Sequence, residues 1–201
     1  MKEKTGYSRK TFDSKLLAKK LYNQREEIFR RIEEKNAISR YVSVIKGCGL
    51  LSDQYRNEFK NFYAVRLQTD TTQQILMLMK EYQNKKIVPS INESLKELHK
   101  LTGKVHISFA SKIIATLNPE KPVYDDKVKG HLMLRHPQGD MGMAIKIYGC
   151  LQNRMEELLK GSDVERAIRA FNERFSEDCI PEDCKKITRI KKLDLMLWQM
   201  R

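Results

Sequence analysis

The stretch that decides the reading of this chain is "HISFASKIIATLNPEKPVYDDKV", residues 106–128. It offers a serine at 108 placed to cap a helix, a helical run with one lysine, an Asn118-Pro119 stop, a short link and two aspartates. Phe109, Ala110, Ile113, Ile114 and Leu117 fall at helical spacing and predict a broad core-facing stripe. The opposite face is predicted to carry Ser108, Ser111, Lys112 and Ala115, at i, i+3, i+4 and i+7. Small residues on an outer face let another backbone or a ligand approach closely. A lone, partly shielded lysine among them has its ammonium form disfavoured, which makes it a usable nucleophile. The plain alternative is an ordinary surface lysine with small neighbours. Lys121 to Tyr124 is predicted to be extended, because Pro122 restricts itself and its predecessor. Asp125 or Asp126 then caps a helix running through Val128, Leu132 and Leu134. A cap carboxylate beside a cleft can also act as a base or stabilise a cation.

The preceding segment completes a pair of helices. "SINESLKELHKLTG", residues 90–103, has a serine start, a glutamate three residues later and a glycine end. That pattern predicts a capping box and a glycine stop. The turn "TGKVHI" therefore lies between two helix ends and presents backbone N–H groups at the start of the second helix. Such groups bind phosphates, because the helix dipole and the unsatisfied donors act together. With Lys104 and His106 beside them, this is the recipe of a helix-hairpin-helix that grips a nucleic-acid backbone. The expected DNA contacts are Lys104, His106, Ser108, Ser111, Lys127 and Lys129.

Helical periodicity extends through the rest of the chain. "FDSKLLAKKLYNQREEIFRRIEEK", residues 12–35, repeats Leu17, Leu21, Ile28 and Ile32 between charged residues. Residues 69–86 open on Thr and Asp cap candidates and end in lysines. Two further helices, 139–161 and 162–175, are predicted to meet at Gly161-Ser162. The last, from Cys184, aligns Ile190, Leu193, Leu197 and Met200 on one stripe. The only strand-like pieces are "YVSVIKG", 41–47, and "KIVPSI", 86–91, and both are short. The expected class is all-α, with about eight to ten helices of ordinary length. Residues 1–201 are read as a single domain, with room for two lobes and a cleft between them. The Phe, Tyr and Met residues and Trp198 are candidates for base recognition, although each reads more readily as core.

Composition narrows the partners. The chain has 201 residues, 40 % hydrophobic and 32 % charged, which fits a globular protein and excludes a disordered one. Lys and Arg number 39 against 26 acids, a net charge of +13, and such an excess marks a nucleic-acid partner. The charge is spread: residues 1–40 hold 12 basic and 6 acidic groups, and residues 97–136 hold 7 and 4. A basic surface is expected rather than a basic arm. No apolar run reaches membrane-spanning length, and "MKEKTGYSRK" does not read as a signal peptide, so a cytoplasmic monomer is expected. Cys48, Cys150, Cys179 and Cys184 are expected as free thiols. They and the four histidines make no metal-ligand pattern, so neither a metal nor a cofactor is expected.

The strings "SFASKIIATLNP", "PVYDDKV" and "KKLDLMLW" resemble a known arrangement. They are similar to the helix-hairpin-helix DNA glycosylase superfamily, and most of all to small bacterial proteins with the 8-oxoguanine DNA glycosylase fold. The strong part of the resemblance covers about residues 91–135. It implies a lysine nucleophile at Lys112, attacking C1′ of a damaged nucleotide. It implies a carboxylate at Asp125, where Asp125-x-x-Val128 matches the superfamily's phrase, assisting loss of the base. The implied substrate is duplex DNA carrying an oxidised purine such as 8-oxoguanine, with abasic-site lyase activity through a Schiff base. A non-catalytic DNA-binding protein that keeps the fold is the alternative.

Overall fold

The computed structural model describes residues 11–49, 51–175 and 187–201. Among the described residues there are eleven α-helices and no strand. In chain order they are α1 (Ser14–Asn23), α2 (Arg25–Glu34), α3 (Ala37–Lys46), α4 (Asp53–Phe62), α5 (Thr69–Asn84) and α6 (Ile91–Thr102). Then follow α7 (Ile107–Leu117), α8 (Asp126–His131), α9 (Met141–Leu159), α10 (Ser162–Arg174) and α11 (Arg189–Gln199). The all-α expectation stands. Cys179 and Cys184, and the start of the last predicted helix, lie outside the described residues.

Local chemistry explains most boundaries. Ser90 accepts from the Glu93 amide at 3.2 Å while Glu93 accepts from the Ser90 amide at 2.7 Å, closing the predicted capping box. At the other end of α6, Gly103 takes φ +68, the left-handed conformation that suits glycine. Asp13, Ser52 and Thr188 cap α1, α4 and α11 through their side chains. The long periodic run at 12–35 is two helices rather than one. Gln24 ends α1 and starts α2, so Leu17 and Leu21 enter the core from one helix, and Ile28 and Ile32 from the next.

"YVSVIKG" is helical, against the strand-like reading of its alternation. Its residues continue a helix begun at Ala37, and Ala37, Ile38, Tyr41 and Val44 form a buried stripe at helical spacing. Burial of that stripe overrides the local β preference of valine and isoleucine. "KIVPSI" forms no strand either; it is an open connection in which Ile87 and Val88 are exposed.

The buried apolar residues form one cluster from Leu17 to Met200. Each fully buried Leu, Ile or Phe contributes roughly 1.5–3 kcal/mol relative to exposure. Two helices are buried on most of their circumference. α7 packs against α3, α5, α6 and α9, and α11 packs against α2, α8, α9 and α10. The outward small-residue face predicted for α7 is therefore corrected. Ser111, Lys112 and Ala115 are all buried, because other helices cover that side. The small residues allow that cover, and Lys112 is the long side chain that must fit beneath it.

Candidate active site

Lys112 is held in the interior at 5 % exposure. Its ammonium donates to the Tyr63 carbonyl at 2.9 Å and lies over the rings of Phe109 and Tyr63, 5.2 and 5.8 Å from their centroids. Burial pulls its pKa down, while the charges of Asp125 and Asp126 oppose that shift. Tyr63 is placed by the turn after α4, where Ala64 adopts φ +49. The Tyr63 hydroxyl shares a hydrogen bond of 2.9 Å with Thr116 Oγ1, which ties that turn to α7.

Asp125 caps α8, accepting from the Lys127 amide at 2.9 Å. It is half-buried, whereas Asp126 is exposed and paired with Lys129 at 2.7 Å. The Asp126 carboxyl is lowered, chiefly by its hydrogen bond to Lys129. After α7 the chain turns at Pro119 and Glu120, and residues 122–125 then form the non-helical link to α8; the polar groups of this link go to side chains. The Pro122 carbonyl accepts from the Tyr148 hydroxyl at 3.2 Å. The Val123 amide donates to Asp194 Oδ2 at 3.1 Å, and the Tyr124 amide donates to Ser111 Oγ at 2.9 Å.

Lys112, Asp125 and Trp198 line two adjoining cavities. The inner one, about 30 Å³, is closed by Phe62, Tyr63 and the buried pair Lys191–Asp194. The outer one, about 520 Å³, adds Arg66, His106, Ser108, Lys127 and His136. The two proposed reacting groups thus come to one place, although they lie 13 positions apart, Lys112 within α7 and Asp125 at the N-cap of α8. Lys191 and Asp194 are 3.1 Å apart and almost fully buried, and the Lys191 ammonium lies 5.4 Å from the Tyr41 ring centroid. Burial raises the Asp194 carboxyl pKa, while Lys191 opposes the shift.

The predicted DNA contacts separate into three groups. His106, Ser108 and Lys127 line the outer cavity. His106, not Ser108, occupies the N-cap position of α7 and makes no capping bond with its side chain. Burial and the nearby Lys104 lower its pKa. Lys104 is exposed in the turn between α6 and α7, where its amide donates to Thr102 Oγ1 at 3.2 Å. Lys129 is paired to Asp126 and does not line the outer cavity. Ser111 is fully buried, accepts from Tyr124 and donates to the Ser108 carbonyl at 2.9 Å. It has no surface to offer a phosphate, which corrects the expectation of a direct DNA contact.

Several lining residues carried no readable motif. Arg66 and His136 reach the cavity from connections far apart in sequence, and Tyr63 contributes a backbone carbonyl. Asp194 had a signal: it is a lone acid in the apolar run "LDLMLW", three residues after Lys191. Trp198 is half-buried, meets Phe62 edge-to-face at 5.9 Å and also forms cavity wall. Among the described residues no three His, Cys, Asp or Glu side chains gather as a metal site, and no helix is long and apolar enough to cross a membrane. Neither a protein-family model, nor a curated protein, nor a solved structure matches this chain.

Proposed function

We propose that this chain is a DNA glycosylase of the helix-hairpin-helix type, acting on an oxidised purine such as 8-oxoguanine, with lyase activity through Lys112. The observation that carries this reading is the meeting of Lys112 and Asp125 in one cavity beneath a basic rim. Only a neutral amine attacks carbon, and the burial that lowers the Lys112 pKa favours that form. The cavity of about 520 Å³ has room for an extruded nucleotide.

In this reading the damaged nucleotide leaves the stack at a cost of a few kcal/mol, offset by contacts to the DNA backbone. Arg66, Lys127 and the turn at Lys104 supply positive charge for those contacts. The bond from C1′ to the base nitrogen breaks, and its electron pair leaves with the base. Asp125 stabilises the positive charge that develops on the sugar. Lys112, as the neutral amine, leaves the Tyr63 carbonyl and adds its lone pair to C1′, and the proton it then sheds goes to the departed base anion. Opening of the sugar ring then yields the Schiff base.

One observation favours a second reading, a DNA-binding protein that performs no chemistry. The Lys112 ammonium is already satisfied by the Tyr63 carbonyl and two rings, an arrangement that also suits a structural lysine. Base release separates the two. Duplexes carrying 8-oxoguanine or uracil are incubated with wild type and Lys112→Gln, and free base is quantified. Release from the 8-oxoguanine duplex that the variant lacks supports the enzyme. Salt-dependent binding with no release from either duplex supports the binding protein.

A further inference from the structure

The segment that carries Asp125 is held in an unusual way. Three consecutive residues, Pro122, Val123 and Tyr124, have backbone groups bonded to side chains of three helices: Tyr148 on α9, Asp194 on α11 and Ser111 on α7. Asp125 is the next residue, so this arrangement sets where its carboxylate enters the cavity. None of the three side chains lies near the link in sequence; the separations are 26, 71 and 13 residues.

Asp194 Oδ2 accepts from both the Val123 amide and the Lys191 ammonium, each at 3.1 Å. Asp194 is buried, and its Oδ1 has no hydrogen-bond partner. A buried unsatisfied oxygen costs on the order of 1–3 kcal/mol. A neutral acceptor such as an asparagine carbonyl would hold Val123 but would leave the buried Lys191 ammonium without its counter-charge. The carboxylate therefore serves both, and the pair it forms with Lys191 stands in the wall of the inner cavity beside Lys112 and Asp125.

We propose that Ser111 and Asp194 are positioning residues for Asp125, aiming its carboxylate into the cavity. The site then selects a ligand bearing positive charge at the sugar position over a neutral one of the same shape. This rests on the glycosylase reading, in which the sugar becomes cationic as the base departs.

The test is affinity and needs no turnover. Fluorescence anisotropy at fixed salt compares two duplexes, one with a cationic pyrrolidine in place of the sugar and one with neutral tetrahydrofuran. Wild type should prefer the pyrrolidine duplex by about 100-fold, and Asp125→Ser should abolish that preference. Ser111→Ala should lower it about tenfold with tetrahydrofuran affinity unchanged, because a displaced carboxylate loses its effect on the cation. Adding Ser111→Ala to Asp125→Ser should change nothing more, the mark of a residue acting through another. Lys191→Met combined with Asp194→Leu, which replaces the buried pair by apolar groups and removes the acceptor of Val123, should also lower the preference. Lys191→Met combined with Asp194→Asn restores an acceptor for Val123 with neither charge and should recover the preference.

A Ser111→Ala effect that is equal on both duplexes, or that persists in the Asp125→Ser background, overturns the positioning role. So does a preference that Ser111→Ala leaves within twofold. A folded Lys191→Met, Asp194→Leu protein with the full preference overturns the positioning role of Asp194. These failures are distinct from that of the glycosylase reading, in which wild type would favour neither duplex over undamaged DNA; that outcome defeats this inference as well.

Discussion

Replacing Lys112 by methionine tests whether the protein buries an ammonium in readiness for chemistry. Methionine fills much of the same volume without charge. Two terms then oppose each other at neutral pH. The Tyr63 carbonyl loses a charged donor at 2.9 Å, and a hydrogen bond of that kind contributes about 1.5–3 kcal/mol. In return the protein no longer buries a charge at 5 % exposure, and replacing buried charges by apolar groups is often neutral or stabilising by about 1–4 kcal/mol. The variant should therefore unfold at pH 7 within about 1 kcal/mol of wild type. The pH dependence is more telling. Lys112 has its pKa lowered in the folded state, so the unfolded chain binds more protons there. Wild type carries the full penalty below the folded pKa and loses it as pH rises toward the unfolded value of about 10.4. Its stability relative to Lys112→Met must rise with pH in that window, by at most about 1.4 kcal/mol per pH unit. Urea unfolding of both proteins from pH 6 to 10 measures the difference. A gap that stays constant, or that moves in favour of the variant as pH rises, refutes the buried-ammonium account.

Other expectations follow from the same geometry. Asp125→Ser keeps an N-cap oxygen but not the carboxylate, so stability should stay within about 0.5 kcal/mol of wild type, while base release falls at least about 100-fold. Arg66→Ala and Lys127→Ala remove charges at the cavity rim and should each reduce the slope of log affinity against log salt by about 1, across all DNA sequences. Gly103→Ala meets no atom within 4 Å but must adopt φ +68, so it should cost about 1 kcal/mol in thermal or chemical unfolding, purely through the backbone.

Much of the helical architecture was legible because its signals are local. The capping box at Ser90, the stop at Gly103, the joint at Gly161-Ser162 and the cap at Asp125 each involve residues a few positions apart. What was illegible depends on neighbours distant in sequence. No feature of residues 12–35 alone specifies the break at Gln24, and the helix at 37–46 is favoured over a strand because one stripe can be buried. The side of α7 that carries Lys112 looked exposed, because only the fold reveals what covers it. The same limit applies at the site. Lys112 and Asp125 stand out in the sequence, but the carbonyl of Tyr63, the wall at Trp198 and the pair Lys191–Asp194 are brought to them by packing. Ser111 shows the consequence: a small polar residue read as a DNA contact is spent on the Tyr124 amide.

The central claim is that Lys112 acts as a nucleophile on DNA, and one measurement tests it most directly. Wild type is incubated with a duplex carrying an abasic site in the presence of borohydride, and the covalent product is digested and sequenced by mass spectrometry. The account predicts a reduced adduct on Lys112, absent from Lys112→Gln under the same conditions. An adduct on another lysine, or no adduct from a protein that binds the duplex, would contradict it.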